Sequence, residues 1–246
     1  MYGILKKKYG QNFLIDKNIL LKISKIISEK NLNIIEIGPG DGRLSEYILN
    51  YNPKKLILIE IDKDLILQLN SKFFGYKNLE ILNEDILKYK FVEDIDLIIS
   101  NLPYNISSQI LVKICLLKNL PDKLILMFQK EFAQRLLEKK LNSLNSLINC
   151  FYEVKYNFNV SRMSFRPIPK VESSVLSFTK KKKILLKENE KKKFIEFKQK
   201  LFSHKRKKMS NLLKNYNFER ELFDLNKRVE EINLEDFLKL FRKINF

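Results

Sequence analysis

The chain has 246 residues, with 47 Lys and Arg against 29 Asp and Glu, for a formal net charge of +18. It is long enough for one large domain, or a large domain with a small companion, and so positive a chain calls for a polyanionic partner. One histidine, His204, and two distant cysteines, Cys115 and Cys150, exclude a zinc site, a His-based triad and a disulfide framework.

Part of the charge has a plainer source. The chain is crowded with Lys, Ile, Asn, Leu and Phe and has one alanine, Ala133, which is the usage of an AT-rich genome. Some lysines are therefore solvated surface. The cysteines read as buried thiols of a reducing compartment. The opening MYGILKKKYG lacks the apolar stretch of a signal peptide, and no apolar run is long enough for a bilayer span, so a cytoplasmic protein without a membrane is expected.

In chain order, strand-like runs alternate with helical ones. NIIEIG (33–38), KLILIEID (55–62), LEILNED (79–85), DLIIS (96–100) and KLILMFQK (123–130) read as short strands buried on both faces. Between them DGRLSEYILNYN, KDLILQLNSKF and SSQILVKICLLK carry apolar residues at helical spacing. Alternation of this kind predicts an α/β fold with a parallel sheet covered by helices on both faces. YEVKYNFNV (152–160) and VESSVLSFT (171–179) would add strands, joined by the proline-bearing loop SRMSFRPIPK. At TKKKKILLKENEKKK the composition shifts, and helical periodicity without strand alternation follows. The expected organisation is a catalytic domain over residues 1–180 and a small all-helical domain over 185–246.

Gly38, Gly40 and Gly42 lie between the first of these strands and its helix. Glycine permits a tight turn there and lets a ligand approach the backbone, though a turn alone would also use it. The spacing departs from the dinucleotide G-x-G-x-x-G pattern. Glu60 ends the next strand, about 20 residues on, where an acid accepts from ribose hydroxyls. Asp85 ends the third and would accept from an exocyclic amine. Each acid alone reads as a solvated loop residue; the three features in order after successive strands read as an adenosine pocket. The loop has no Lys or Arg cluster for phosphate, which favours S-adenosylmethionine.

The fourth strand runs into Ser100-Asn101-Leu102-Pro103-Tyr104. Asn-x-Pro is ordinary turn chemistry, but this turn opens onto the same cleft. A nucleobase amine is a poor nucleophile because its lone pair is delocalised into the ring. The Asn101 side-chain oxygen and the Leu102 carbonyl can accept its two hydrogens and aim the lone pair. Pro103 stiffens the turn, and Tyr104 offers a face for an extruded base.

The motifs KKKYGQNFLID, EIGPGDGRLS, IEID, NED, NLPYNISSQIL, MFQKEFAQRLL, FRPIPKVESSV and LFSHKRKKMSNLL, in this order, resemble the ribosomal RNA adenine N6,N6-dimethyltransferases over nearly the whole chain. The resemblance implies a Rossmann-like class I methyltransferase sheet. It implies that Asn12 and Leu14 close over S-adenosylmethionine, that Gly38 lies against its methionine part, and that Glu60 and Asp85 hold its ribose and adenine. Asn101 would touch both methyl donor and target amine, with Tyr104 stacking on the target base and Phe165 covering its opposite side. From the residues alone, Phe165 reads as a core or hinge aromatic. Family members carry a double proline where this chain has Ser161-Arg162, and often Tyr-Gly-Arg where it has Leu141-Asn142-Ser143. Both departures are expected outside the cofactor pocket, where they bear on the shape of the RNA-facing rim and not on the chemistry.

Lys205, Arg206, Lys207 and Lys208, with the lysines at 180–183 and 191–193, are expected to contact RNA phosphates without reading sequence. The GQNFL and NLPY forms and the basic LFSHKRKK helix bring the resemblance closest to the branch acting on the small ribosomal subunit. That branch dimethylates two adjacent adenines near the 3′ end of its RNA. A large-subunit enzyme of the macrolide-resistance type and a non-catalytic assembly or transcription factor are the alternatives. A monomer without a metal is expected.

Overall fold

The computed structural model describes residues 11–91 and 94–244. The KKKYG part of the N-terminal motif lies outside them. The elements are β1 (Phe13–Leu14), α1 (Lys17–Ser24), β2 (Asn33–Ile37), α2 (Arg43–Leu49), β3 (Lys55–Glu60), α3 (Lys63–Lys72), β4 (Leu79–Asn83), β5 (Leu97–Asn101), α4 (Ser107–Cys115), β6 (Lys123–Gln129) and α5 (Lys130–Leu137). They continue with α6 (Asn145–Ile148), β7 (Tyr152–Val160), β8 (Phe165–Arg166), β9 (Ser173–Lys180), α7 (Lys191–Phe202), α8 (Met209–Leu212) and α9 (Leu234–Lys243).

A seven-stranded sheet has the order β4-β3-β2-β5-β6-β9-β7. Strands β4, β3, β2, β5 and β6 are parallel to one another, and β9 runs antiparallel to β6 from Lys123↔Thr179 to Gln129↔Ser173. The central strands β2, β3, β5 and β6 are apolar at almost every position because both faces are covered: Ile34, Ile35, Leu56, Ile57, Leu97, Ile98, Leu124 and Ile125 are all buried. Strand β4 departs from that expectation, since none of its residues is buried. It is the sheet edge, so one flank has no neighbour. One face packs Ile34, Leu56, Leu58, Leu97 and Ile99 with Leu20 and Ile23 of α1, Leu44 and Ile48 of α2 and Leu69 of α3.

Strand order reverses beside β2, whose neighbours are β3 on one side and β5 on the other. Open α/β sheets bind ligands at the carboxyl ends of strands at such a point. A second, two-stranded sheet pairs β1 with β8, Phe13 opposite Arg166 and Leu14 opposite Phe165. Next to it Asp16 caps α1, accepting from the Asn18 and Ile19 amides at 2.9 and 3.3 Å. Its other oxygen accepts from Ser164 Oγ at 3.1 Å.

The chain divides into two compact units. The first holds the described residues up to Ala133 and Glu153–Lys180; the second holds Gln134–Tyr152 and the described residues from Lys181 on. The sequence places the boundary near 180–185 and leaves 134–152 in the catalytic domain. The structure assigns those residues to the helical unit instead. LEKKLNSLNSLINC has no strand alternation and folds into turns and α6. Asn142 Oδ1 accepts from the Leu144 and Asn145 amides at 3.0 and 2.9 Å. Buried Lys198 of α7 donates to the Ser143 carbonyl at 2.8 Å. Leu141-Asn142-Ser143, which departs from the family pattern, thus leads into a turn bonded through Asn142 and Ser143.

The core of this unit is aromatic. Phe194 and Phe197 of α7 meet Phe237 and Phe241 of α9 with ring centroids 5.2–5.6 Å apart. Phe237→Ala is expected to destabilise the protein by about 3–5 kcal/mol, the usual cost of deleting a fully buried ring. Urea denaturation followed by circular dichroism would check it, and a loss under about 1 kcal/mol would contradict this packing.

Of the expected basic helix LFSHKRKK only Leu201 and Phe202 are helical: α7 stops at Phe202, and 203–207 form a turn. Ser203 Oγ donates back to the Lys200 carbonyl at 2.8 Å, which competes with helix continuation. Four adjacent cations are also better solvated on a turn than stacked along a helix.

Candidate active site

A cleft of roughly 980 Å³, its open mouth included, lies at the carboxyl ends of β2, β3, β4 and β5. Its lining includes Asn12, Leu14, Gly38, Gly40, Glu60, Asp85, Asn101, Leu102, Pro103 and Tyr104, so the structure brings together every sequence-derived cofactor and turn residue.

The glycine loop is held closely. The Gly38 amide donates to the Ile59 carbonyl at 2.9 Å, and that of Gly40 to Glu60 Oε2 at 3.2 Å. Glu60 Oε1 accepts from the Asp62 amide at 2.9 Å. Burial pushes the Glu60 carboxyl up, against the pull of these backbone hydrogen bonds. Gly40 has φ +61°, and a Cβ there would stand 2.8 Å from the Phe13 ring. Gly40→Ala is therefore expected to force apart the loop and the N-terminal segment that crosses it, weakening S-adenosylmethionine binding roughly ten-fold or more. Titration calorimetry with the cofactor would check this; unchanged affinity would mean that the loop yields freely.

Segment 11–14 crosses the cleft by specific bonds. Gln11 Nε2 donates to Asp62 Oδ2 at 2.9 Å, and the Asn12 carbonyl accepts from Asn101 Nδ2 at 3.0 Å. The second bond turns Asn101 Oδ1 into the remaining acceptor of that side chain. Among the described residues neither Asn101 Oδ1 nor the Leu102 carbonyl accepts a hydrogen bond. The turn itself is tethered: Ser100 Oγ donates to the Ile37 carbonyl at 2.5 Å and Ser107 Oγ to the Pro103 carbonyl at 3.1 Å. Asp85 Oδ1 accepts from the Leu87 amide at 2.9 Å, fixing the carboxylate at the end of β4.

Phe165 is placed elsewhere. It is fully buried in the core with Leu14, Leu20 and Val160 and does not line the cleft. Its pairing with Leu14 through β1 and β8 puts it beneath the N-terminal strap, in the core role that its residue type allowed. In the same loop Ser161 Oγ accepts from the Met163 amide at 3.2 Å where the family pattern has proline.

Reading the sequence missed Glu36 and Gln11. Glu36 is a wholly buried acid on β2 that lines the cleft. It accepts from Ser45 Oγ at 2.5 Å, and burial pushes its carboxyl up to about 8. Its signal was a charge in the middle of the apolar run NIIEI.

Besides Glu36, whose burial favours the neutral form, the lining carries Asp41, Glu60, Glu84 and Asp85 against Arg43, and Arg43 is paired with Asp41 at 2.7 Å. A phosphate-bearing ligand would find no free cation among these residues. A sulfonium and an ammonium would be welcome. S-adenosylmethionine therefore fits the residues present.

The family model described as ribosomal RNA adenine dimethylase matches residues 4–245. The chain belongs to that family. It is an S-adenosylmethionine-dependent ribosomal RNA adenine dimethyltransferase with the class I methyltransferase fold. The dimethylase is 39% identical over 255 residues to the ribosomal RNA small subunit methyltransferase A of Mycoplasmopsis pulmonis, covering 97% of this chain and 98% of that one. It is 37% identical to the protein of that name from Hydrogenobaculum sp., covering 98% and 93%. Among solved structures, a dimethyladenosine transferase from Plasmodium falciparum superposes with a TM-score of 0.83 at 28% identity, over 95% of this chain and all of that one. The 23S rRNA methyltransferase ErmE shares the fold, with a TM-score of 0.75 at 22% identity over 95% of this chain and all of its own.

The basic residues assigned to RNA fall into two groups. Lys205, Arg206, Lys207 and Lys208 are all exposed on the turn after α7, with Lys205 3.8 Å from Glu230. Lys191, by contrast, is buried, paired with Glu188 at 2.7 Å and placed over the Phe151 ring. Lys180 is bonded to Asp122, and Lys181 donates to the Asn149 carbonyl at 2.7 Å. Those three serve the fold. Among the described residues no group of three or more His, Cys, Asp or Glu is placed to hold a metal, and no helix is long and apolar enough to cross a membrane.

Proposed function

We propose that this dimethylase modifies the N6 amines of two adjacent adenines near the 3′ end of small-subunit ribosomal RNA, acting in the cytoplasm as a monomer without a metal on the assembling subunit. The observation that carries the chemistry is the open acceptor pair, Asn101 Oδ1 and the Leu102 carbonyl, on a turn at the cleft wall. The small-subunit relatives support the choice of substrate.

When bound, S-adenosylmethionine supplies a methyl group already activated by its sulfonium. Glu60 and Asp85 hold its ribose and adenine, and Gly38 and Gly40 let its methionine part lie against the backbone. Asn12 and Leu14 cover it. The target adenine, unpaired or flipped from its RNA, stacks on Tyr104. Asn101 Oδ1 and the Leu102 carbonyl accept from its amine, draw the nitrogen towards a pyramidal shape and aim its lone pair into the cleft. Alignment of this kind supplies the rate without a strong general base. The exposed cations at 205–208 add salt-sensitive affinity for RNA phosphates.

The test uses small and large ribosomal subunits from a strain lacking the modification, incubated separately with the protein and labelled S-adenosylmethionine. Mass spectrometry then maps the methylated nucleotides. Two adjacent dimethyladenosines near the 3′ end of the small-subunit RNA are expected. Methylation of large subunits alone would overturn the substrate assignment. Tight subunit binding without methyl transfer would overturn catalysis and leave an assembly role.

A further inference from the structure

The Tyr104 ring is held from a direction that the NLPY turn does not itself supply. Its hydroxyl lies 2.6 Å from Ser173 Oγ, on the first residue of β9, 69 positions along the chain. Ser173 has no freedom to follow the ring. It is fully buried and in register with Gln129 of β6, on a strand flanked by β6 and β7. Its neighbour Ser174 donates to Asn159 Oδ1 of β7 at 2.7 Å.

Stacking alone does not call for a hydroxyl, since a phenylalanine ring presents the same face to a base. A phenol brought into a half-buried position needs a partner, and this one is a rigid point of the sheet. We propose that Ser173 is a positioning residue for methyl transfer, setting through the Tyr104 hydroxyl the tilt of the ring on which the target adenine stacks. This deepens the proposed function and rests on the reading of Tyr104 as the stacking platform. Burial also pushes the Tyr104 phenol up, so it stays neutral across the working pH range, and either hydroxyl can donate in this bond.

The clamp has a kinetic signature. Without it the ring still offers a face, so the adenine still binds. Its amine then samples orientations in which the lone pair misses the aim set by Asn101 Oδ1 and the Leu102 carbonyl. Alignment is needed only in the transition state, so the loss belongs to kcat and not to KM.

Ser173→Ala, Tyr104→Phe, the double variant and Tyr104→Ala are compared by steady-state methyl transfer to unmodified small subunits, with cofactor affinity measured by calorimetry. Ser173→Ala is expected to lower kcat roughly five- to ten-fold, the worth of one hydrogen bond, with KM and cofactor affinity within about two-fold. Tyr104→Phe breaks the same bond from its other end and should match it, with no further loss in the double variant. Unchanged kcat in both single variants, or losses that multiply, would overturn the proposal. If Ser173→Ala does not fold, Tyr104→Phe alone decides through its kcat and KM. Tyr104→Ala separates the two ideas. Full activity in that variant would sink the stacking reading itself, whereas severe loss beside fully active Ser173→Ala and Tyr104→Phe would sink only the clamp.

Discussion

Asn101→Ala is expected to lower methyl transfer by about a hundred-fold or more, the scale at which removing one preorganised polar group from an active site is felt. The side chain acts at both ends. Nδ2 donates to the Asn12 carbonyl at 3.0 Å and so ties the N-terminal strap to β5, while Oδ1 is left as an acceptor in the cleft. Alanine removes the tie and the acceptor together. Asn101→Asp separates them, because it keeps acceptor oxygens but sets one against the Asn12 carbonyl, where two acceptors repel. Both variants should therefore lose cofactor affinity as the strap loosens, whereas the alanine variant, which lacks the acceptor as well, should show the larger loss of kcat. Single-turnover transfer with saturating cofactor, beside calorimetry, would measure both. An alanine variant that transfers methyl groups at a wild-type rate would remove Asn101 from the chemistry.

Glu36→Gln is expected to make the protein more stable in alkaline solution and to leave it nearly unchanged in mild acid. Glu36 is wholly buried, and its carboxyl is pushed from the ordinary 4.5 up to about 8, chiefly by desolvation. The hydrogen bond from Ser45 and the charge of Lys72 pull it down; Glu60 and Asp41 push it up. A raised pKa means that the folded state holds a proton that the unfolded state has released. Between about 4.5 and 8 the folded state binds more protons, so this group's contribution to stability falls as pH rises and levels off above about 8. The amide cannot ionise and escapes the fall. The stability difference between the two proteins should grow from near zero at about pH 4 to a few kcal/mol at about pH 9, with ~5 kcal/mol as an upper bound. Urea denaturation of both proteins across that range would show it. Parallel stability profiles would mean that Glu36 is ionised and paired in the folded state.

Among the charged side chains of the cleft lining carboxylates outnumber the one arginine, and a cationic cofactor favours their ionised forms. The Ser45 bond at 2.5 Å keeps the Glu36 side chain in place.

The sequence by itself determined the parallel strands, their helices and most of the cleft. Runs such as KLILIEID and DLIIS are short, apolar and without alternation, a pattern that burial on both faces imposes. The acids Glu60 and Asp85 and the NLPY turn follow these runs directly, so placing the strands placed the residues at one end of the sheet. The order of motifs likewise carried the family. What the tertiary structure decided depends on contacts between residues far apart in the chain. Two-residue strands leave no periodic trace, so the pairing of Leu14 with Phe165, which makes Phe165 a core residue, is invisible before folding. Residues 134–152 join the helical unit through Lys198, a partner 55 positions from Ser143. Lysine runs look alike in sequence, yet Lys191 is buried against Phe151 and Glu188 while Lys205–Lys208 stay in water. The physical reason is the same in each case. Periodicity and turn chemistry report what a residue's near neighbours require, whereas burial of a charge, the tilt of a tyrosine and the edge of a sheet are set by whichever distant segment packs there.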